Sequence, residues 1–525
     1  MKKLLLCIAL CVLQPSISQE ISISSSQSEV FKDRNKHSAL EFSESDDNGG
    51  FVTIRTIFGG MMRRPKEYII EHYNKDLKLV KETTIEIDEN TIKGINIYDG
   101  KVFLLETELD KKENIYKFNV LEAPLSSLSF QSRTLFSFDE SDVKKYFSVG
   151  IGFFFVNNGL GQKDANYLGE VTFSKNKNFF CVNFDIKDKD AETHRLYVFD
   201  KNFNPVFEKE FKKDIKDRLF DYENIDVDDA TGEIYLLGKV FENNSRKTKK
   251  GKETNYHYEL FKISANEQKS VSFKTGDNFV GSLFVLRDHD KISCAGFYSE
   301  KNDHRYKGVT RFDINPETLQ IENSSFEPFT EEFMIDKYGK SKDKELRNLS
   351  FRSGFLATNG DIIINAEEFF ITHHTTMSPN GGMNSYTNYH YNDIVSVKIN
   401  GEGKLVWARN INKKQTTAGV AMEYLSFSST VVGDDTYLFI NCSDRIRKLR
   451  NDRIEFRQAR TKKSNLYAIK IDQDGNYTFK NVVDEKDSEV PFFVRQGIPT
   501  SLNGKEMVFL GRKSSKKQFL KLNIL

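Results

Sequence analysis

The chain is written in a period of two. In residues 392–414, NDIVSVKINGEGKLVWARNINKK, an extended backbone puts Val395, Val397 and Ile399 on one face and Ser396 and Lys398 on the other. The turn Asn400-Gly401-Glu402-Gly403 then leads into a second run that holds Trp407, the only tryptophan. Two alternating runs joined by an Asn/Gly turn read as a β-hairpin. The same shape recurs at 66–87, 114–136, 194–211, 257–275, 307–326 and 465–483. A second hairpin precedes each of them, at 92–109, 169–186, 223–241, 281–299, 354–370, 428–443 and 499–512 in the clearest cases. Asp99-Gly100, Thr231-Gly232, Asn359-Gly360 and Asn503-Gly504 are its tight turns. No segment carries an apolar stripe of period 3.6 over three turns.

Paired hairpins make four-stranded up-and-down units. They begin near residues 38, 92, 169, 222, 280, 347 and 424, and a last unit from about 494 reaches only a third strand, QFLKLNIL. Units of this size predict an all-β fold, a single β-propeller of four-stranded antiparallel blades over 19–525. Eight blades are expected, with seven the alternative. Residues 20–31, EISISSSQSEVF, are placed to close the last blade as an N-terminal strand. Trp407 is expected to pack between neighbouring blades.

IDVDDATGEIYLLGK and NDIVSVKINGEGKLVW resemble the repeats of secreted bacterial β-propeller proteins, where an acid-x-x-Thr-Gly-x-hydrophobic-aromatic strand start recurs. The resemblance spans nearly the whole mature chain and implies the fold. INGEGKLVW and IDQDGNYTF occupy the turn where a sialidase Asp-box would sit, but lack its Ser-x-Asp-x-Gly order. That argues against sialidase chemistry.

Composition agrees with the pattern. Aromatic residues make up 13% of the chain, with 44 Phe and 21 Tyr against 9 Pro, which favours folded strands over disorder. The first 18 residues read as a signal peptide: Lys2 and Lys3, then an apolar run from Leu4 to Leu13, then Ser16-Ile17-Ser18, with cleavage between Ser18 and Gln19. The chain is therefore expected to be exported, to the periplasm, the medium or the outer surface. No later stretch is long and apolar enough to span a membrane. Removing residues 1–18 takes away two lysines and no acid, so the formal charge moves from +1 to −1. Cys181, Cys294 and Cys442 remain, too few for a disulfide framework, and are expected to be buried thiols.

In a meander the first and third turns of each blade share one end, and the B–C and D–A connections share the other. Nearly all insertions are of the second kind: 57–66, 242–256, 371–391 and 443–464 between second and third strands, and 138–168 and 327–346 between blades. One end is plain and the other elaborated, and binding tends to live on loops over a rigid scaffold. Two insertions are basic. One holds Arg445, Arg447, Lys448, Arg450, Arg453, Arg457 and Arg460; the other holds Lys247, Lys249 and Lys250. On a near-neutral protein these point to a polyanion, with an acidic polysaccharide favoured over nucleic acid in an exported chain, or to another surface protein. Tyr389 and His390, in the third insertion, are candidate sugar contacts.

Other clusters carry less. His373, His374 and His390 lack a neighbouring acidic or Cys ligand, so no metal is assigned. Asp226, Asp228 and Asp229, and Asp185, Asp188 and Asp190, fit turn chemistry and depart from calcium-loop order. Glu367 and Glu368 are adjacent on a strand and face opposite sides, which a glycosidase pair cannot. No catalytic residue and no cofactor is assigned. The resulting expectation is a binding or interaction module; a propeller-type glycan hydrolase or lyase and a purely structural surface protein are the alternatives.

Overall fold

The computed structural model describes residues 21–525, except residues 36, 61–63, 145–168, 251–252, 274, 289–290, 302–304, 343, 378–382 and 502 and the side chains of Lys250 and Asn384. The expected leader with Ser18 and Gln19, and the apolar stretch 146–159, lie outside the described residues.

The fold is a β-propeller. Seven four-stranded antiparallel blades follow one another along the chain, their first strands starting at Ser38, Asn90, Glu170, Phe220, Phe279, Leu349 and Phe427. A composite sheet closes the ring. Its strands Ile498–Pro499, Glu506–Lys513 and Lys516–Ile524 come from the C-terminus, and its outer strand, Ile23–Gln27, from the N-terminus. The ladder runs antiparallel from Ile23 opposite Ile524 to Gln27 opposite Leu520. The ring thus has seven four-stranded blades cut from continuous chain, rather than the eight expected, and the mixed sheet expected from residues 20–31 supplies the closure.

Burial explains why the strands differ in pattern. The second strand of the fourth blade, Ile234–Phe241, is buried at every position because neighbouring blades cover both its faces. An outer strand such as Pro205–Lys213 alternates and buries only Phe211 fully. Each apolar cluster joins two successive sectors. Phe103, Phe118, Phe180 and Phe184 link the second and third blades, and Phe51, Tyr73, Val508 and Phe519 link the first blade to the closing sheet. Trp407 is 4% exposed and packs with Ile440 and Ile469 of the next blade, its indole N–H donating to the Gln473 carbonyl at 3.1 Å. The expectation of an inter-blade tryptophan holds.

Two insertions are more ordered than their sequences suggested. Residues 371–377 and 383–391 are no loop: strands Ile362–Met377 and Met383–Ile399 run on together as one long antiparallel arm. Its Thr, His and Tyr residues are strand formers, so the ladder continues beyond the blade. Insertion 327–346 contains the helix Glu331–Tyr338. Thr330 caps it by accepting from the Phe333 N–H, and Gly339 ends it at φ 75°. Two turns are too short to show a helical period, but the Thr start and Gly stop were readable. Among the described residues no helix is long and apolar enough to cross a membrane.

Candidate functional site

First strands line the channel of a propeller, and here they leave a cavity of about 1410 Å³. It extends from the turns between first and second strands at the plain end, around Asp47, Asp99 and Asn176, to Arg352, Ser426 and Arg495 near the elaborated end. Its middle is rich in hydroxyls, among them Ser350, Ser353, Ser428, Ser429 and Thr430. Ser353 and Ser429 hydrogen-bond across two blades at 2.7 Å, while the Ser428 hydroxyl, itself inaccessible, has no hydrogen-bond partner among the described residues.

The charged end is built on a buried carboxylate. Glu367 is fully buried on the second strand of its blade. It accepts from Arg352 Nε at 3.0 Å and Nη2 at 2.7 Å, from Lys413 Nζ at 2.7 Å and from the Ser426 hydroxyl at 2.7 Å. Burial alone would raise its pKa; Lys413 and Arg352 outweigh that and hold it below the ordinary value. Arg352 also lies over Phe369, whose ring meets Tyr391 at 5.0 Å, and Arg495 lies over Tyr391 and donates to its hydroxyl at 3.3 Å. Two guanidiniums therefore flank an aromatic pair at one end of the cavity.

Carboxylates line the other end. Glu44 pairs with Lys177, and Glu506 pairs with Lys521 at 3.1 Å. Asp47 and Asp99 stand in turns with positive φ.

None of the candidate binding residues read from the sequence lines this cavity, although the turn residues Asp99, Asn503 and Gly504 do. Tyr389 is 6% exposed, packed with Tyr391 and Leu425, so its place is in the core of the arm. His390 stacks on Phe370 and shares hydrogen bonds with Thr372 and Thr416; burial first, then His374 and Lys414, lower its pKa. His373 and His374 face different strand neighbours, Thr387 and Thr372, so the three histidines do not converge. Asp228 caps its own turn and meets Arg287, and Asp229 ties Ser174, Asn176 and Asn178 of the preceding blade. Those aspartates do the turn chemistry expected of them. The three cysteines are free and buried, and burial raises each thiol pKa.

One acidic group escaped the sequence reading. Asp185, Glu192 and Asp217 come within metal-ligand distance of one another. The Lys144 ammonium already bonds Asp185 and Asp217 and supplies the positive charge there. Glu192 has a pKa pushed up to about 7, by burial against the lowering effect of His194.

The basic loop 443–464 folds back over its neighbours. Its strand Ile454–Arg457 pairs in parallel with Lys413–Thr417, setting Arg457 beside Lys414. Arg453 donates to the Asp336 and Lys337 carbonyls at the end of the helix, and Asn451 donates to the Gly339 carbonyl. Arg453 is thus a helix cap. The contact brings up the loop after the helix, where Lys342 has a lowered pKa from desolvation and from Lys340 and Lys344. Glu455 holds Arg447 and Arg457 at 3.6 and 2.7 Å. Arg445, Lys448, Arg450 and Arg460 are exposed. Lys247 and Lys249 are exposed in the fourth blade's loop, whose Arg246 is spent on Asp221 at 3.0 Å.

No protein-family model matches the chain, and the search of curated proteins found no match. Solved structures do match. The β-propeller domain of the Trilobed protease from Pyrococcus furiosus is 10% identical with a TM-score of 0.37, covering 87% of this chain and 98% of that one. Prolyl oligopeptidase B from Galerina marginata is 8% identical with a TM-score of 0.35, covering 92% of this chain and 56% of that one. Pyrococcus horikoshii acylaminoacyl peptidase is 10% identical with a TM-score of 0.32, covering 78% and 59%. The chain therefore spans little more than half of those two peptidases.

Proposed function

We propose that this protein is an exported binding module that holds a polyanion, of the acidic polysaccharide class, on its elaborated face. The observation that carries the reading is the docking of loop 443–464 onto the helix end. It joins cations from two insertions, Lys344 and Arg450 among them, with Lys414 of the strand that precedes the seventh blade, and Glu455 is an acid paired within that loop. Clustered exposed cations raise the local concentration of an anionic chain and make binding salt-dependent. Lys247 and Lys249 extend the basic character to a second loop.

The test is retention on immobilised polygalacturonate over a salt gradient. The triple reversal R445E/K448E/R450E should elute at clearly lower salt and weaken affinity by at least about tenfold. These residues make no contact that the fold depends on, so the melting temperature should not move. Retention equal to that of the unaltered protein would overturn the reading.

A further inference from the structure

We propose that the channel cavity is a second binding site, for a single carboxylated sugar unit, with the carboxylate on Arg352 and Arg495. The proposal goes beyond the basic face and shares no residue with it.

Three features of the cavity carry it. The first is polarity along its length. Among the described lining residues the arginines, Arg352 and Arg495, stand at the elaborated end, whereas at the plain-end turns the carboxylates Glu44, Asp47, Asp99 and Glu506 are interleaved with Lys175, Lys177 and Lys201. An anionic group that enters meets guanidiniums without lining carboxylates at the elaborated end and mixed charge at the plain end. The second is preorganisation. Arg352 is held by two of its nitrogens on a fully buried carboxylate that Lys413 and Ser426 also hold, so its guanidinium does not have to be ordered when a ligand arrives. Nη1 of Arg352 has no hydrogen bond among the described residues and remains a donor. A guanidinium matches the planar fork of a carboxylate better than an ammonium does.

The third feature is the middle of the cavity. Hydroxyls such as Ser350, Ser429 and Thr430 both donate and accept, which is what a ring of sugar hydroxyls needs. A neutral sugar would leave the guanidiniums unused, and a simple anion would leave the hydroxyls unused. A uronate-type unit engages both.

Calorimetric titration of the full chain with trigalacturonate, a neutral galactose trimer and a glutamate-terminated tripeptide tests this. The expected result is one trigalacturonate per chain, bound at least about tenfold more tightly than the other two. Arg495→Gln should remove most of that preference, and Ser350→Phe, which sets a ring two residues from Arg352 on the same strand, should weaken binding at least about tenfold. The triple reversal on the basic face should leave trigalacturonate affinity unchanged, so the two sites fail separately. Equal affinity for the neutral trimer, tighter binding of the peptide, no binding at all, or loss of trigalacturonate binding in the triple reversal would each overturn the proposal. Arg352→Gln loosens a buried group; if it lowers the melting temperature, Arg495→Gln still decides the question, because Glu367 keeps Arg352, Lys413 and Ser426 in that variant.

Discussion

Two buried carboxylates here are held by almost the same groups, yet only one stands behind a cavity. Glu71 accepts from Arg55 at 2.9 and 3.0 Å, from Lys517 at 2.7 Å and from the Thr53 hydroxyl at 3.2 Å. Glu367 accepts from Arg352, Lys413 and the Ser426 hydroxyl. In the first set Arg55 is also bound to Asp33 at 2.8 Å, and Lys517 belongs to the last strand. The network thus ties the N-terminal segment, the first blade and the C-terminal strand, and its side chains are nearly inaccessible. In the second set the Arg352 side chain is 21% exposed and lines the channel. The same chemistry seals a ring in one place and presents a cation in the other. What differs is whether the arginine's outer edge meets another carboxylate or an open space.

Predictions follow from that contrast. The largest effect belongs to the seal. Glu71→Ala leaves Lys517 in a dry site with only the Tyr73 hydroxyl and Arg55 with Asp33 and Ser38, and should cost about 3–5 kcal/mol, read as a fall in the denaturation midpoint. A loss below about 1 kcal/mol would remove the seal from the account of closure. Acid should attack the same place. Glu71 has a pKa lowered to about 2 from 4.5, because Lys517 and Arg55 outweigh the raising effect of burial. A depressed carboxyl pKa contributes stability that is present above pH 4.5 and is lost as the pH falls toward about 2. Denaturation midpoints between pH 6 and 2 should show that loss in the unaltered protein and less of it in Glu71→Gln.

Smaller changes are expected at the cavity. Arg352→Gln leaves Glu367 with Lys413 and Ser426, so it should cost about 1–3 kcal/mol, less than Glu71→Ala. An equal or greater loss would mean that Arg352 is a seal like Arg55. The smallest effect belongs to the rim: R445E/K448E/R450E should change stability by less than about 0.5 kcal/mol while weakening polyanion retention. A stability loss above that would show that the loop supports the fold.

The strand pattern was legible because period two survives wherever one face meets a blade and the other water. Blade starts read at 38, 222, 280 and 347 agree with first strands at Ser38, Phe220, Phe279 and Leu349. The turns at Asn359-Gly360 and Asn503-Gly504 fall where the structure turns, with glycine at φ 90° and 70°. The arm at 371–391 was misread as a loop because it packs against nothing for most of its length, so no apolar alternation marks it. The cavity was not legible. Arg352, Ser426 and Arg495 lie on three sectors, and nothing local distinguishes Arg352 in its strand from Arg55 in its own.

The sequence by itself determined the alternation, the turns and therefore a propeller closed by residues near its own beginning, because those signals are local. Only the tertiary structure decided which charges matter. It turned Arg453 into a helix cap, buried Tyr389, and set Arg352 against a channel, because burial and ion pairing depend on residues that meet only when the ring is closed.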